Sequence, residues 1–374
     1  MSVTLDELTK ASIVSLILFA CLLKYILSKR DEKAGDGLAD KDHYDLRNRY
    51  LIIYALAVFG DWLQGPYVYR LYLLHGLKET EIHQLFVIGF ASSCVVGPFS
   101  GALWDVAGRK RGILCYGILY SLCCLLTAYG STFPVLIVGR VLGGLSTAIL
   151  FSAFESWLVG AAQSIGLTSK GLDTVFTQQT VLNSILAVLS GLVAQFLADY
   201  VGVELVFMLA ALVLVVTSLL CAMTLSENKG EGDANFIQSL KSGTEIVLSS
   251  WPIASLGVIQ ALFEGSMYAF VLMWTPALSI ETDDIPHGLI FASLMLSVMV
   301  GSLLNDLFKP KLTFILGVAS LSLGLVTVVQ DGLVRLILFS MFEGCVGAFW
   351  PIMAGLRSKY VPENARCAVL SIFR

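Results

Sequence analysis

Gly101-Ala-Leu-Trp-Asp105-Val-Ala-Gly108-Arg109-Lys110-Arg111 is a short charged interval between two long apolar runs. Each flanking run is long enough to cross a bilayer, so the interval reads as a hairpin between two membrane helices. Gly101 is expected to let two helices approach closely. Gly108 supplies a turn position free of Cβ strain. Asp105 can pair with Arg109 or with a neighbouring helix N-terminus. The consecutive cations Arg109, Lys110 and Arg111 then place the hairpin on the cytoplasmic side.

The rest of the chain supplies the same environment. Of its 374 residues 56% are hydrophobic and only 14% are charged, and the mean hydropathy is +0.80. Such a composition lies outside the soluble globular range and predicts an all-α polytopic membrane protein. The lipid bilayer is therefore its first partner. The eight cysteines fall mostly inside apolar runs and form neither a disulfide framework nor a metal-ligand spacing. No metal site, no cofactor, no catalytic group and no nucleic-acid partner is expected.

Taken in order, Ser12–Leu27 is apolar apart from Lys24. Asp6 and Glu7 spoil the basic region a signal peptide needs, and no small-residue cleavage site follows, so a retained helix is expected. Its sixteen residues would cover about 24 Å, short of a hydrocarbon core of roughly 30 Å. Residues 1–46 are thus an N-terminal helix and a cytoplasmic linker. Six spans follow within residues 47–225, near Tyr50–Tyr72, Ile82–Trp104, Gly112–Gly130, Pro134–Leu158, Val175–Ala198 and Val203–Leu225. The polar interval 226–250 divides them from residues 251–374. There four more spans lie near Ile253–Leu278, His287–Leu304, Leu312–Val329 and Val334–Leu356, with the start of a fifth at Pro362-Glu363-Asn364 and Ala365–Phe373. With the hairpin inside, seventeen loop cations are cytoplasmic and only Lys78 is external, while Glu281, Asp283 and Asp284 make an outer loop acidic.

Two short pairings suggest that the halves repeat. Gln64-Gly-Pro-Tyr67 matches Glu264-Gly-Ser-Met-Tyr268, and Arg140-x-x-x-Gly144 matches Glu343-x-x-x-Gly347, at nearly equal offsets. Charges inside apolar spans cost at least a few kcal/mol each and are usually kept for function. Here they are Asp61, Arg140, Glu155, Glu264 and Glu343. Asp61 with Gln64, and Gln260 with Glu264, are spaced to share one helix face. These seven residues are the candidate substrate-binding or coupling set. For Arg140 the competing reading is a structural pair with an acid, and for Glu155 it is snorkelling to the interface. Gln179 and Asn183 are expected to join helices by hydrogen bonds.

Gly101, Leu103, Asp105, Gly108, Arg109 and Lys110 fill every fixed position of G-x-L-x-D-x-x-G-R-K. In this the chain resembles the major facilitator superfamily, whose signature joins helices two and three. The resemblance implies two helical bundles around a central cavity, with the signature acting as a gate. Gly60-Asp-Trp-Leu-Gln-Gly-Pro-Tyr67, Tyr69-Arg-Leu-Tyr72, Val138–Ala148 running into Leu150–Trp157, Ile259–Glu264 and Trp274-Thr-Pro276 narrow the match. These stretches are similar to the molybdate-anion transporter family, which also carries an extra N-terminal helix. That likeness implies high-affinity uptake of molybdate or a related oxyanion across the cell membrane. Family members continue through two further helices, so the second bundle is expected to be incomplete and the chain to insert but transport poorly.

The residues themselves support secondary transport by alternating access, with protons as a candidate coupling ion. They leave open a carrier for a sugar, peptide or drug, and a non-transporting sensor or scaffold. The absence of a G-x-x-x-x-G-K-[ST] loop argues against direct use of ATP.

Overall fold

In a computed structural model, which describes residues 5–31, 38, 40–230, 236–280, 285–361, 369, 372 and 373, all regular elements are helical. They are α1 (Leu5–Asp31), α2 (Lys41–Gln64), α3 (Val68–Leu74), α4 (Glu79–Ala107), α5 (Arg109–Tyr129), α6 (Phe133–Ser164) and α7 (Ser169–Tyr200). Then follow α8 (Val203–Thr224), α9 (Phe236–Ser249), α10 (Trp251–Leu278), α11 (His287–Phe308), α12 (Leu312–Val326) and α13 (Gly332–Tyr360). Among the described residues, eight helices are long and apolar enough to cross a membrane, or nine if the bent pair α2–α3 is one span. The acidic outer loop 281–284 and the helix start at 362–364 lie outside the described residues.

Several boundaries differ from those expected, each for a local reason. The span read as Tyr50–Tyr72 is broken and bends by 44° between α2 and α3. Pro66 cannot donate a bond to the Trp62 carbonyl, and Gly65 takes that carbonyl instead at 3.2 Å. The span read as Leu312–Val329 stops at Val326, where β-branched Val326-Thr-Val-Val329 lowers helix propensity and turns of the i→i+3 kind take over. The polar divider 226–250 contains a helix, α9, whose Ile246 and Val247 pack on an apolar core. The N-terminal helix runs for 27 residues, about 40 Å, well beyond the apolar stretch Ser12–Leu27. Asp6 and Glu7 extend it because they occupy its first turn, where carboxylates favour the helix dipole.

The helices sort into two compact units. One comprises Gly35–Ala187 and Phe196–Lys241; the other comprises Met1–Ala34, Val188–Gln195 and Ser242–Phe373. In the first, α6 carries α4 and α5 on its flanks, and α8 closes against α5 and α2. Tyr50, Tyr72, Tyr116, Phe154 and Phe207 are fully buried there, and the Tyr116 ring meets Phe154 edge-on at 5.4 Å. In the second, Phe263 stacks on Phe349 at 3.8 Å and Phe270 meets Phe339 at 5.1 Å. Helix α1 belongs to this unit. Its Ile13 packs with Ala292 and Leu296, and Ala20 with Val300, so α1 runs parallel to α11.

Lipid cannot drive helices together hydrophobically, so close packing of small residues carries much of the association. Gly144 of α6 lies so near α4 that a Cβ there would collide with the Gly89 carbonyl and meet Ser92 at 2.7 Å. Gly347 of α13 does the same to α11, where a Cβ would collide with the Val298 carbonyl and meet Ser302 at 3.0 Å. In both halves, then, the glycine four residues after a membrane charge seats its helix against a neighbour two elements earlier.

Candidate functional site

Arg140 enters α6 two turns after the Phe133-Pro134 start, where proline fits because the first helical N–H groups have no partner. Its side chain is partly buried, and its Nε is sealed from solvent without a hydrogen bond. No carboxylate among the described residues pairs with it. The guanidinium instead lies 5.4 Å from the Phe86 ring centre and 5.9 Å from that of Tyr72, a cation–π clamp that holds the charge without neutralising it. Tyr120, Cys123 and Cys124 of α5 complete its surroundings. Two buried hydroxyls in the same neighbourhood, those of Tyr72 of α3 and Thr127 of α5, lie beside each other.

Asp61, a turn before the α2–α3 break, is not the partner of Arg140. It accepts a short hydrogen bond from the Tyr120 hydroxyl, while the Tyr116 hydroxyl donates to the Ala57 carbonyl at 3.0 Å. Gln64 is buried, with Nε2 unpartnered. Glu155 stands apart, about 22 Å further along α6 at 1.5 Å per residue. It is exposed and faces Tyr50 and Tyr54. Gln179 and Asn183 do join helices: Tyr50 donates to Gln179 at 2.8 Å, and Trp62 donates to Asn183 at 3.0 Å.

The second unit holds a separate polar chain. Gln260 Nε2 donates to Glu264 at 2.8 Å, and Arg357 donates to Gln260 Oε1 at 3.0 Å. Sequence reasoning placed Arg357 in a loop; it lies inside α13, near the end of a helix that continues through Pro351. Glu343 is buried on α13, and no described residue hydrogen-bonds or ion-pairs with it. The predicted residues therefore divide into the Arg140–Asp61 neighbourhood, the Gln260–Glu264 pair, and the isolated Glu155 and Glu343. Tyr72, Thr127 and Arg357 are the additions.

A family profile described as sugar transporters with twelve transmembrane helices matches residues 13–343. The molybdate-anion transporter of Takifugu rubripes is 34% identical over 368 residues, covering 87% of this chain and 75% of that one. Its counterpart in Danio rerio is 33% identical over the same length and coverage. The chain belongs to the molybdate-anion transporter family of the major facilitator superfamily. Its fold agrees: a nucleoside transporter, NupG, superposes with a TM-score of 0.68 at 13% identity over 89% of this chain and 87% of that one. A D-xylose–proton symporter gives 0.66 at 15% identity over 88% and 86%. The protein is a multi-pass membrane transporter.

The family signature is more compact than a loop. Helix α4 continues to Ala107 and α5 begins at Arg109, leaving Gly108 alone between them at φ +117°. Asp105 and Arg109 pair across this joint at 2.6 Å. The segment after α8 straps beneath it. Glu227 accepts from the Lys110 N–H at 2.9 Å, the Asn228 carbonyl accepts from the Arg109 N–H at 3.1 Å, and Gly230 N–H donates to the Asp105 carbonyl at 3.1 Å. The first two bonds satisfy N–H groups that the start of α5 would otherwise leave open, and the third caps a carbonyl near the end of α4. Trp157 and Asn228 tie the strap to α6, through Trp157 Nε1 to Ser226 O at 2.8 Å and Asn228 Nδ2 to Trp157 O at 2.9 Å. Gly108 must be glycine for its φ, and a Cβ there would also have to push aside the Glu227 carboxylate, which would lie 2.7 Å away. Gly101 does not fill its expected role: a Cβ there would meet nothing within 4 Å. The close approach of α4 is made at Gly89 and Gly144 instead.

Proposed function

We propose that the protein is a secondary active carrier of molybdate, or of a closely related oxyanion, across the cell membrane by alternating access. Residues 47–225 and those from 251 onward are the two moving bundles, and 226–250 links them. One observation carries the reading: Arg140 keeps a full, uncompensated positive charge inside a membrane helix, held by aromatic faces. A guanidinium costs too much there to be idle, and its planar fork suits an oxyanion. The names of the fish relatives point to the same cargo. Asp61, Glu155, Glu264 and Glu343 are the groups available to carry a coupling proton. Uptake of labelled molybdate with sulfate and sugars as competitors tests the assignment. Inhibition by sulfate and indifference to sugars is the expected pattern, and uptake of a sugar without molybdate would refute it.

The Asp105–Arg109 pair and the strap beneath it act on the gate and not on the cargo. Asp105→Asn removes the charge from a pair whose side chains are 31% and 15% exposed. We expect exchange of labelled molybdate to slow roughly fivefold, the factor matching about 1 kcal/mol of lost pairing, with equilibrium binding unchanged. Loss of binding at an unaltered exchange rate would move the signature into the site.

A further inference from the structure

We infer that the N-terminal helix α1 is a conformational brace: it seals the seam between the Val188–Gln195 stretch of α7 and the start of α11, and it releases α7 each time the carrier opens at that end. The inference rests on the alternating-access reading above and adds a moving part to it.

The seam itself is made of glycine contacts and a polar cap. A Cβ on Gly191 of α7 would stand 2.7 Å from the Gly288 carbonyl and 3.1 Å from Ala292 Cβ, and a Cβ on Gly288 would collide in turn with the Gly191 carbonyl. Gln195 Oε1 accepts from the Gly288 N–H at 2.9 Å and from the Leu289 N–H at 3.3 Å. These are two of the N–H groups that the start of α11 leaves open. Close backbones joined by a polar side chain are what hold helices together in lipid, where apolar surface alone gives no drive. Val188–Gln195 belongs to the same compact unit as α11, whereas the rest of α7 belongs to the other.

Helix α1 covers this seam. Ile13 is buried in one cluster with Val188 of α7 and with Ala292 and Leu296 of α11, and Leu16, Leu192 and Leu289 pack against them. Two turns on, Ala20 packs with Val300 of α11, without α7. Ile13, Leu16 and Ala20 share one helix face, which follows α11 along its length and meets α7 at one end only. The residues Val14, Leu18 and Phe19 are exposed and left for lipid. With the signature hairpin inside, α11 starts on the outer side, so the shared end is the outer one. Alternating access needs the bundles to meet at that end in one state and to part there in the other. The contact of α1 with α11 lies within one unit and can persist through the cycle. Its contact with Val188 must break, because α7 is mainly part of the other bundle.

Cysteine pairs in the full chain separate the two contacts. Ile13→Cys with Val188→Cys ties α1 to α7, and Ala20→Cys with Val300→Cys ties α1 to α11. Each double variant is reconstituted in lipid vesicles, oxidised with copper phenanthroline, and assayed for uptake of labelled molybdate before and after reduction with dithiothreitol. The unaltered chain, treated alike, accounts for the native cysteines. The first pair should cross-link, lose uptake while oxidised and regain it on reduction. The second should cross-link and keep its uptake. Failure of the first pair to cross-link, or full uptake once it has, would overturn the inference and leave the carrier reading standing. Equal loss of uptake in the second pair would show that α1 must leave α11, which overturns the brace as well. Reduced samples that move no molybdate would remove the carrier reading and this inference together.

Discussion

Arg140→Ala abolishes molybdate binding while the protein still inserts and folds. The expectation follows from what surrounds the side chain. Its guanidinium is clamped by Phe86 and Tyr72 and pairs with no described carboxylate, so removing it strands no buried partner charge. What is lost is the charge-assisted contact to the anion. Hydrogen bonds to charged groups contribute about 1.5–3 kcal/mol each, and two from one fork correspond to a loss of at least about 100-fold. Arg140→Lys should recover little, because a point charge has neither the fork nor the flat face that stacks between two rings. Binding by filtration, with circular dichroism as the check on folding, measures both. Full binding by Arg140→Ala would favour the sensor or scaffold reading.

Gly347→Leu has the other large expected effect, on stability. A side chain at this position would collide with the Val298 carbonyl and crowd Ser302, and backbone atoms cannot swing away as a flexible side chain can. Helices α11 and α13 must separate, opening the same seam in which Gly301 lies against Gly344. Overpacking of this kind costs about 3 kcal/mol, enough to lower the melting temperature in detergent by several degrees. Gly355→Leu on the same helix, where a Cβ would meet nothing within 4 Å, is the matched control and should melt like the unaltered protein. Equal melting of both variants would mean that the seam is loose.

The equivalence of Gly144 and Gly347 shows how far a sequence can speak for a fold of this kind. A charge followed four residues later by glycine is rare enough in apolar helices to be noticed twice, and in each bundle it marks the same close approach. Arg140 was legible for a related reason: a lone cation two turns inside an apolar run is too costly to keep without a role. Tyr72 and Thr127 were not, because a tyrosine and a threonine in apolar helices read as packing, and only the fold brings them together beside Arg140. Arg357 was hidden because the apolar run ends at Leu356, so it read as a loop cation, whereas the helix continues to Tyr360. Gly101 was misjudged in the opposite direction. It holds a motif position whose use depends on a neighbour, and the neighbour is elsewhere. The strap at Ser226–Gly230 gave no signal at all, since its bonds to Arg109, Lys110 and Asp105 run through backbone groups and one carboxylate.

The most direct test of the oxyanion site is to locate a bound anion. Tungstate shares the charge and shape of molybdate and scatters strongly at its absorption edge, so anomalous diffraction from crystals grown with it would mark its position. The site described here predicts a single strong peak within about 3–4 Å of the Arg140 guanidinium nitrogens, the range set by charge-assisted N–H···O contacts to the oxygens around the metal. A peak at Arg357 with none at Arg140, or no peak at saturating tungstate, would contradict the central claim.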